Sequence, residues 1–318
     1  MSTNEFDTLH FDETEPLRAR LTDTVEIPLL IDFGARSDLG RVRRNNEDHF
    51  AVIRRKRCRT VLMTNMPASD LDLPDDESHV MIVADGMGGA AFGELASRLA
   101  LKAADELLGS ACSWLANSHD LDSPATHDRI QAYADVIQET LREYADTDPR
   151  LAGMGTTLTC AHSLGSDVVI AHVGDSRAYH YRDGHVQQVT RDQTLAQDLL
   201  DAGMPARDTM RFRHILTNCF GGDAQQVRSD VYHLRLQHGD AVLLCTDGLS
   251  DLIRDAEIAE VLERETPAQT ACDRLVQRAL DRGGKDNITV VLGRFRARIA
   301  ETAEEPADGT GCRSDARE

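Results

Sequence analysis

Short apolar runs that break off at an acidic residue recur along this chain. Val80 to Ala84 is unbroken apolar sequence leading straight into Asp85-Gly86-Met87-Gly88-Gly89, and a helical apolar period follows almost at once. That order predicts a strand buried on both faces, a tight turn and a helix. The pattern returns at Val168–Val173 before Gly174-Asp175 and at Val242–Cys245 before Thr246-Asp247-Gly248. A further acid, Asp286, stands in Gly283-Gly284-Lys285-Asp286-Asn287, ahead of a strand expected over Ile288–Phe295. A rigid element delivers Asp85 to a loop mouth, where glycines let backbone carbonyls approach a ligand. An aspartate beside bare backbone suits a hard cation. A single Asp-Gly is adequately read as a turn and its hinge; the repetition lowers the weight of that reading.

The remaining pattern fills in around these runs. Phe92, Leu95, Ala96, Leu99, Ala103 and Leu107 form one apolar stripe, and Ile130, Ala134, Ile137, Leu141 and Tyr144 another, so two amphipathic helices are expected. Leu29–Ala35, Phe50–Ile53, Thr156–His162, Ala178–Tyr181, His185–Thr190, His214–Cys219 and Val227–Leu236 read as strands, with an Asp183-Gly184 hairpin turn. Thr194–Asp201 reads as a short helix ended by Gly203. Asp255–Arg264 and Pro267–Arg282 read as helices, the second with Thr266 as N-cap and Pro267 in its first position.

Between the elements, residues 1–27 are acidic and aperiodic, a mobile leader, and 299–318 form a polar, disordered tail. The single domain expected is 28–298. Residues 54–79 read as a surface insertion whose basic start, Arg54-Arg55-Lys56-Arg57, and acidic end neutralise each other; the other reading is a docking patch for an acidic or phosphorylated partner. The charged, irregular stretch within 192–214 is a candidate flap over a site.

Composition narrows the function classes. With 318 residues and 41% apolar content the chain can bury one large core. A net charge of −19 argues against nucleic acid or an anionic membrane as the main partner. No apolar run approaches a membrane span and the N-terminus has no signal-peptide pattern, so a cytoplasmic protein is expected. The seven cysteines lack a C-x-x-C pair and read as reduced thiols.

Six motifs in order carry a family resemblance: Arg43…Glu47-Asp48, Asp85-Gly86-Met87-Gly88-Gly89, Gly155-Thr156-Thr157, Gly174-Asp175-Ser176-Arg177, Thr246-Asp247-Gly248-Leu249-Ser250-Asp251 and Lys285-Asp286-Asn287. From about residue 30 to 296 the chain resembles the metal-dependent protein phosphatases, the PPM or type 2C family, in its bacterial form. The resemblance implies an α+β fold, a four-layer α-β-β-α sandwich with two central antiparallel sheets flanked by helix pairs. It also implies a binuclear Mn²⁺ or Mg²⁺ centre with a third, weaker ion. The implied reaction is hydrolysis of phosphoserine and phosphothreonine on proteins, without a phosphoenzyme. Phosphorylated proteins, and a cognate Ser/Thr kinase that the enzyme opposes, are the implied partners.

By resemblance, Asp85 bridges the two metals and the Gly86 carbonyl meets the second. Asp247 and Asp286 are implied ligands of the first metal, and Glu47 of the second, directly or through water. Asp48 would hold metal-bound waters, Asp175 and Asp251 would join Asp247 around the third ion, Arg43 would grip the substrate phosphate, and Asn287 would support the ligands from behind. The chemistry is coherent: two divalent ions lower the pKa of a shared water and aim it at phosphorus. Hard ions take carboxylate and carbonyl oxygen, and a guanidinium fork fits phosphate.

Two positions depart from the family pattern. Met87 stands where many eukaryotic members have a histidine able to protonate the leaving group. Gln193, in Asp192-Gln193-Thr194, stands where bacterial relatives often have histidine, which puts the flap's substrate contacts in question. His49, His172 and His180 lie near motifs but read as structural. Two rival functions remain to be weighed. One is a catalytically silent member of the family, although every metal acid is present. The other is a dinucleotide-binding enzyme, suggested by Gly86-Met87-Gly88-Gly89-Ala90-Ala91 with Asp105 further on. Asp85 would then face a pyrophosphate, which weighs against it.

Overall fold

The structure is a computed structural model, which describes residues 29–57, 63, 65, 76–88, 92–115, 118, 120–222 and 226–297. The expected leader, the tail and the middle of the 54–79 segment lie outside the described residues. In chain order the elements are β1 (Leu29–Asp38), β2 (Asp48–Arg57), β3 (Asp76–Met87), α1 (Phe92–Leu115), α2 (Pro124–Thr147), β4 (Gly155–Thr156), β5 (Leu158–Leu164), β6 (Asp167–Val173), β7 (Arg177–Arg182) and β8 (His185–Gln188). They continue with α3 (Leu195–Asp201), α4 (Ala206–Thr209), β9 (Phe220–Gly221), β10 (Asp230–Arg235), β11 (Ala241–Cys245), α5 (Asp247–Ser250), α6 (Asp255–Arg264), α7 (Ala268–Asp281) and β12 (Ile288–Ala297).

Two sheets form, one ordered β1-β12-β11-β7-β8 and the other β10-β6-β5-β3-β4-β9, with β2 also pairing β3. Every strand pair is antiparallel. Strand periodicity sorts the apolar runs of β3 and β11 between three cores. Val80 and Ile82 of β3 pack under α1 and α2, while Met81 and Val83 point between the sheets to meet Val242 and Leu244 of β11. Leu243 and Cys245 face α6 and α7. Burial on both faces is why these strands read as unbroken apolar runs rather than alternating ones. Each fully buried aliphatic side chain contributes about 1.5–3 kcal/mol. The result is the expected α-β-β-α sandwich, with α1 and α2 over one sheet and α6 and α7 over the other.

Several boundaries differ from the sequence reading, each for a physical reason. β2 and β3 extend through 54–57 and 76–79, because the charged positions pair across the hairpin, Lys56 Nζ lying 3.1 Å from Glu77. The strand expected over His214–Cys219 does not form; one isolated bridge joins Thr194 to Leu216, since this backbone is spent on the neighbouring segment, Leu195 N donating to Ile215 O at 2.8 Å. α7 is capped by Pro267 rather than Thr266, and Asp32 Oδ2 accepts from the Ala268 N–H at 2.9 Å. The dinucleotide reading fails on topology: among the described residues the strands of the sheet that carries β3 all pair antiparallel, and Asp105 lies on the exposed face of α1.

Candidate metal centre

Antiparallel pairing gathers the acid-bearing strand ends at one end of the sandwich. The β2–β3 register sets Asp48 directly opposite Asp85. β6 runs out into Asp175, β11 into Asp247, and β12 starts just after Asp286. Asp85, Asp175, Asp247, Asp251 and Asp286 line one cleft of about 720 Å³ together with Arg43, Glu47, Gly86 and Asn287. All but one of the residues expected at the site are therefore on its wall. Asp48 sits just behind, 5% exposed.

Each acid is held by identifiable neighbours. Asp85 N donates to Thr157 Oγ1 at 3.0 Å, and its carbonyl accepts from Thr157 N at 2.9 Å and Thr156 Oγ1 at 2.8 Å, which fixes the end of β3. Gly86 is required by close approach: a Cβ there would lie 2.1 Å from Gly93 O and 2.7 Å from Glu47 O. Asn287 braces the loop that carries Glu47, donating to the Leu39 and Asn45 carbonyls at 2.9 and 3.0 Å and accepting from Glu47 N at 2.9 Å. Asp48 Oδ2 accepts from the Thr246 and Thr289 hydroxyls at 2.9 and 2.7 Å. Arg43 donates to Asp286 at 2.6 Å from a side chain that is 53% exposed.

The electrostatics are those of acids forced together. Burial, then the charges of Asp48, Asp247, Asp175 and Asp286, push Asp85 well above the ordinary carboxylate range. Burial followed by Asp175 and Asp286 does the same to Asp247. Burial first, with Asp286 adding to it, raises Asp48 to about 7 against the two threonine hydroxyls, and burial with Asp192 raises Asp175 to about 7. Glu47 is raised, chiefly by burial. Asp48 Oδ1 and Asp247 Oδ1 are buried without a hydrogen-bond partner. Uncompensated buried carboxylates are costly unless paired or bound to metal. An all-oxygen donor set of this kind fits hard divalent cations.

The sequence reading missed part of the site. Thr289 was not singled out, yet its hydroxyl holds Asp48 across the whole sandwich. Arg213 and His214 reach the cleft from the segment after α4: Arg213 pairs with Asp251 at 3.2 Å, and His214, Asp247 and Asp251 offer ligand atoms all within 4.8 Å of one another. Their only signal was the charge of that irregular stretch. Met87 lines the cleft but also packs against Gly155. His49 bonds Ser97 at 2.9 Å, and His180 lies 3.2 Å from Asp240. His172 is held by Thr159 and the Arg191 carbonyl, with burial lowering its pKa to about 4; all three histidines are structural. Gln193 is not on the cleft wall but buried behind it.

A two-sheet α-β-β-α sandwich with an acid-lined cleft and an arginine at its mouth defines a metal-dependent phosphatase. The sequence model of the protein phosphatase 2C family matches residues 68–292, and the chain belongs to that family. It is 33% identical to the serine/threonine phosphatase stp of Listeria innocua over 81% of this chain and 93% of that one. Its fold is similar to that of the Mycobacterium tuberculosis serine/threonine phosphatase PstP/Ppp, with a TM-score of 0.65 and 30% identity over 84% of this chain and 99% of that one. A second structure, the catalytic domain of PstP in complex with two manganese ions, matches with a TM-score of 0.64 and 31% identity over 84% of this chain and 99% of that one.

Proposed function

We propose that this chain hydrolyses phosphoserine and phosphothreonine on proteins, with Mn²⁺ or Mg²⁺ held by Asp85, the Gly86 carbonyl, Asp247, Asp286 and Glu47. A third, weaker ion would sit among Asp175, Asp247 and Asp251. When bound, such ions lower the pKa of water and orient it toward phosphorus. The observation that carries the reading is the set of mutually repelling buried acids around one cleft, two of them with buried oxygens lacking any partner.

The chain's own groups divide the remaining work. Thr246 and Thr289 pin Asp48 Oδ2, and Oδ1, buried just behind the cleft wall without a partner, would accept from a metal-bound water. Arg43 is exposed enough to exchange Asp286 for a substrate phosphate, whose oxygens match its fork. Asn287 keeps Glu47 in register with the cleft. Met87 has no proton to give, so leaving-group protonation falls to another group. A silent, regulatory member is not favoured, because every acid of the motif set reaches the site.

A cognate Ser/Thr kinase that supplies the phosphorylated substrate is part of the proposal, as is a cytoplasmic site of action. Free thiols at Cys219, Cys245 and Cys272 support the latter. Among the described residues, no helix is long and apolar enough to cross a membrane. The test is turnover of a phosphothreonine peptide with Mn²⁺ and with chelator. Metal-dependent phosphate release is expected; a folded, Mn²⁺-binding protein that releases none would overturn the catalytic reading.

A further inference from the structure

Gln193 is 1% exposed, and both its amide oxygen and its amide nitrogen are engaged. Oε1 accepts from the Gly174 N–H at 2.7 Å and from Asn218 Nδ2 at 2.6 Å, and Nε2 donates to Asp230 Oδ2 at 2.8 Å. The main chain repeats the link: Gln193 N donates to Gly174 O at 2.8 Å and Thr217 N to Gln193 O at 2.9 Å. The turn it grips has no slack. Gly174 sits at φ +110°, and a Cβ there would lie 2.5 Å from the Thr157 side chain. Thr157 in turn bonds the Asp85 amide at 3.0 Å and the Ser176 hydroxyl at 2.8 Å. One buried side chain at the start of the 192–214 segment thus holds Asn218 just past the segment's end, the turn that carries Asp175, and Asp230 at the head of β10.

We propose that Gln193 is a positioning residue, a clamp that fixes both ends of the flap to the Gly174-Asp175 turn, so that flap placement and the Asp175 carboxylate are set together. This rests on the reading of the cleft as a phosphatase site with Asp175 among its ligands. An amide supplies one oxygen with two lone pairs and two N–H donors, which suits three partners in different directions. An apolar side chain of similar size would strand the Gly174 N–H inside the protein, and the turn and flap would loosen to satisfy it.

The test uses the full chain with Mn²⁺ and compares Gln193→Leu, Gln193→His and Asn218→Ala with the wild type. In Gln193→Leu, amide exchange at Gly174 and proteolysis between residues 202 and 213 should accelerate, while the two tight Mn²⁺ sites persist in calorimetric titration. kcat should fall by about 10²-fold, the scale of a small misplacement at a reacting centre, with KM moving less. An imidazole offers one acceptor and one donor, so Gln193→His should recover most of the loss. If Gln193→Leu does not fold, Asn218→Ala, which cuts the bond to the far end of the flap, should still speed flap proteolysis and lower kcat. Wild-type kcat and exchange in these variants would overturn the clamp, as would a rise in exchange spread evenly through the core. A wild-type chain that releases no phosphate would instead sink the phosphatase reading, while the exchange data would still decide the clamp.

Discussion

Asp240 and Asp48 expose nearly the same small fraction of their surface, 2% and 5%, but Asp48 lies deeper, and their carboxylates behave oppositely. Burial alone would raise both. At Asp240, in the turn before β11, Arg182 donates at 2.9 and 2.6 Å and overcomes burial, so the pKa falls below the ordinary value. At Asp48 the partners are neutral hydroxyls and the nearest charges include Asp286, so it rises to about 7. One pKa unit corresponds to about 1.4 kcal/mol between the two protonation states. The contrast shows that this fold can compensate a buried acid with an internal cation, and does not do so at Asp48, Asp85 and Asp247; Arg43 and Arg213 pair only with the less buried Asp286 and Asp251. The acids there are arranged for a cation that comes from outside.

The most severe way to break this contrast is Asp85→Asn. It removes the acid at the centre of the cluster, so metal-dependent turnover should drop to background while circular dichroism shows an intact fold. Wild-type-like activity in that variant would remove the metal assignment. Asp175→Ala should be milder: two metals bound nearly normally by calorimetry, and turnover slowed by about 10²-fold, the scale of losing one preorganised stabilising group. Full activity would make Asp175 structural, and loss of all bound metal would place it in the primary pair.

Arg43→Ala tests grip rather than chemistry. A charge-assisted hydrogen bond is worth about 1.5–3 kcal/mol, so kcat/KM should fall by about 10–100-fold, mostly through KM. An unchanged KM would take Arg43 out of the site.

Chelation sharpens the comparison through pH. In the metal-free protein Asp48 and Asp175 titrate at about 7, above the ordinary aspartate value near 3.9, so the folded state binds more protons than the unfolded state between those limits. Stability should therefore fall as pH rises from about 4 to about 7, and Asp85 and Asp247, also raised by burial and neighbouring acids, act in the same sense. Asp240 works in the opposite sense, its contribution present above the unfolded pKa and lost as pH falls through its depressed folded value. Melting curves with chelator and with Mn²⁺ check this, and saturating metal should flatten the downward slope. A metal-free protein that becomes more stable across that window would contradict the unpaired-acid picture.

Much of the fold was legible because its signals are local. Unbroken apolar runs at Val80–Ala84 and Val242–Cys245 mark strands buried on both faces, and stripes at 3–4 spacing mark α1 and α2. Errors fell where distant partners override local pattern. His214–Cys219 has strand-forming residues, but its backbone is taken by Gln193 and Leu195. The Pro267 cap depends on Asp32, a residue of β1.

The site divides in the same way. By itself the sequence determined which acids end which apolar runs, and family resemblance ordered them into a ligand set. Their convergence was decided only in three dimensions, by the β2–β3 register that sets Asp48 opposite Asp85 and by the stacking of the second sheet that brings Asp247 and Asp286 to the same end. Thr289 reaches Asp48 across 241 positions of sequence, and Gln193 turns inward to Gly174 rather than outward to substrate. A hydroxyl or amide has no sequence pattern of its own. Its partner is chosen by where packing leaves an unsatisfied buried atom, and that is a property of the assembled sheets.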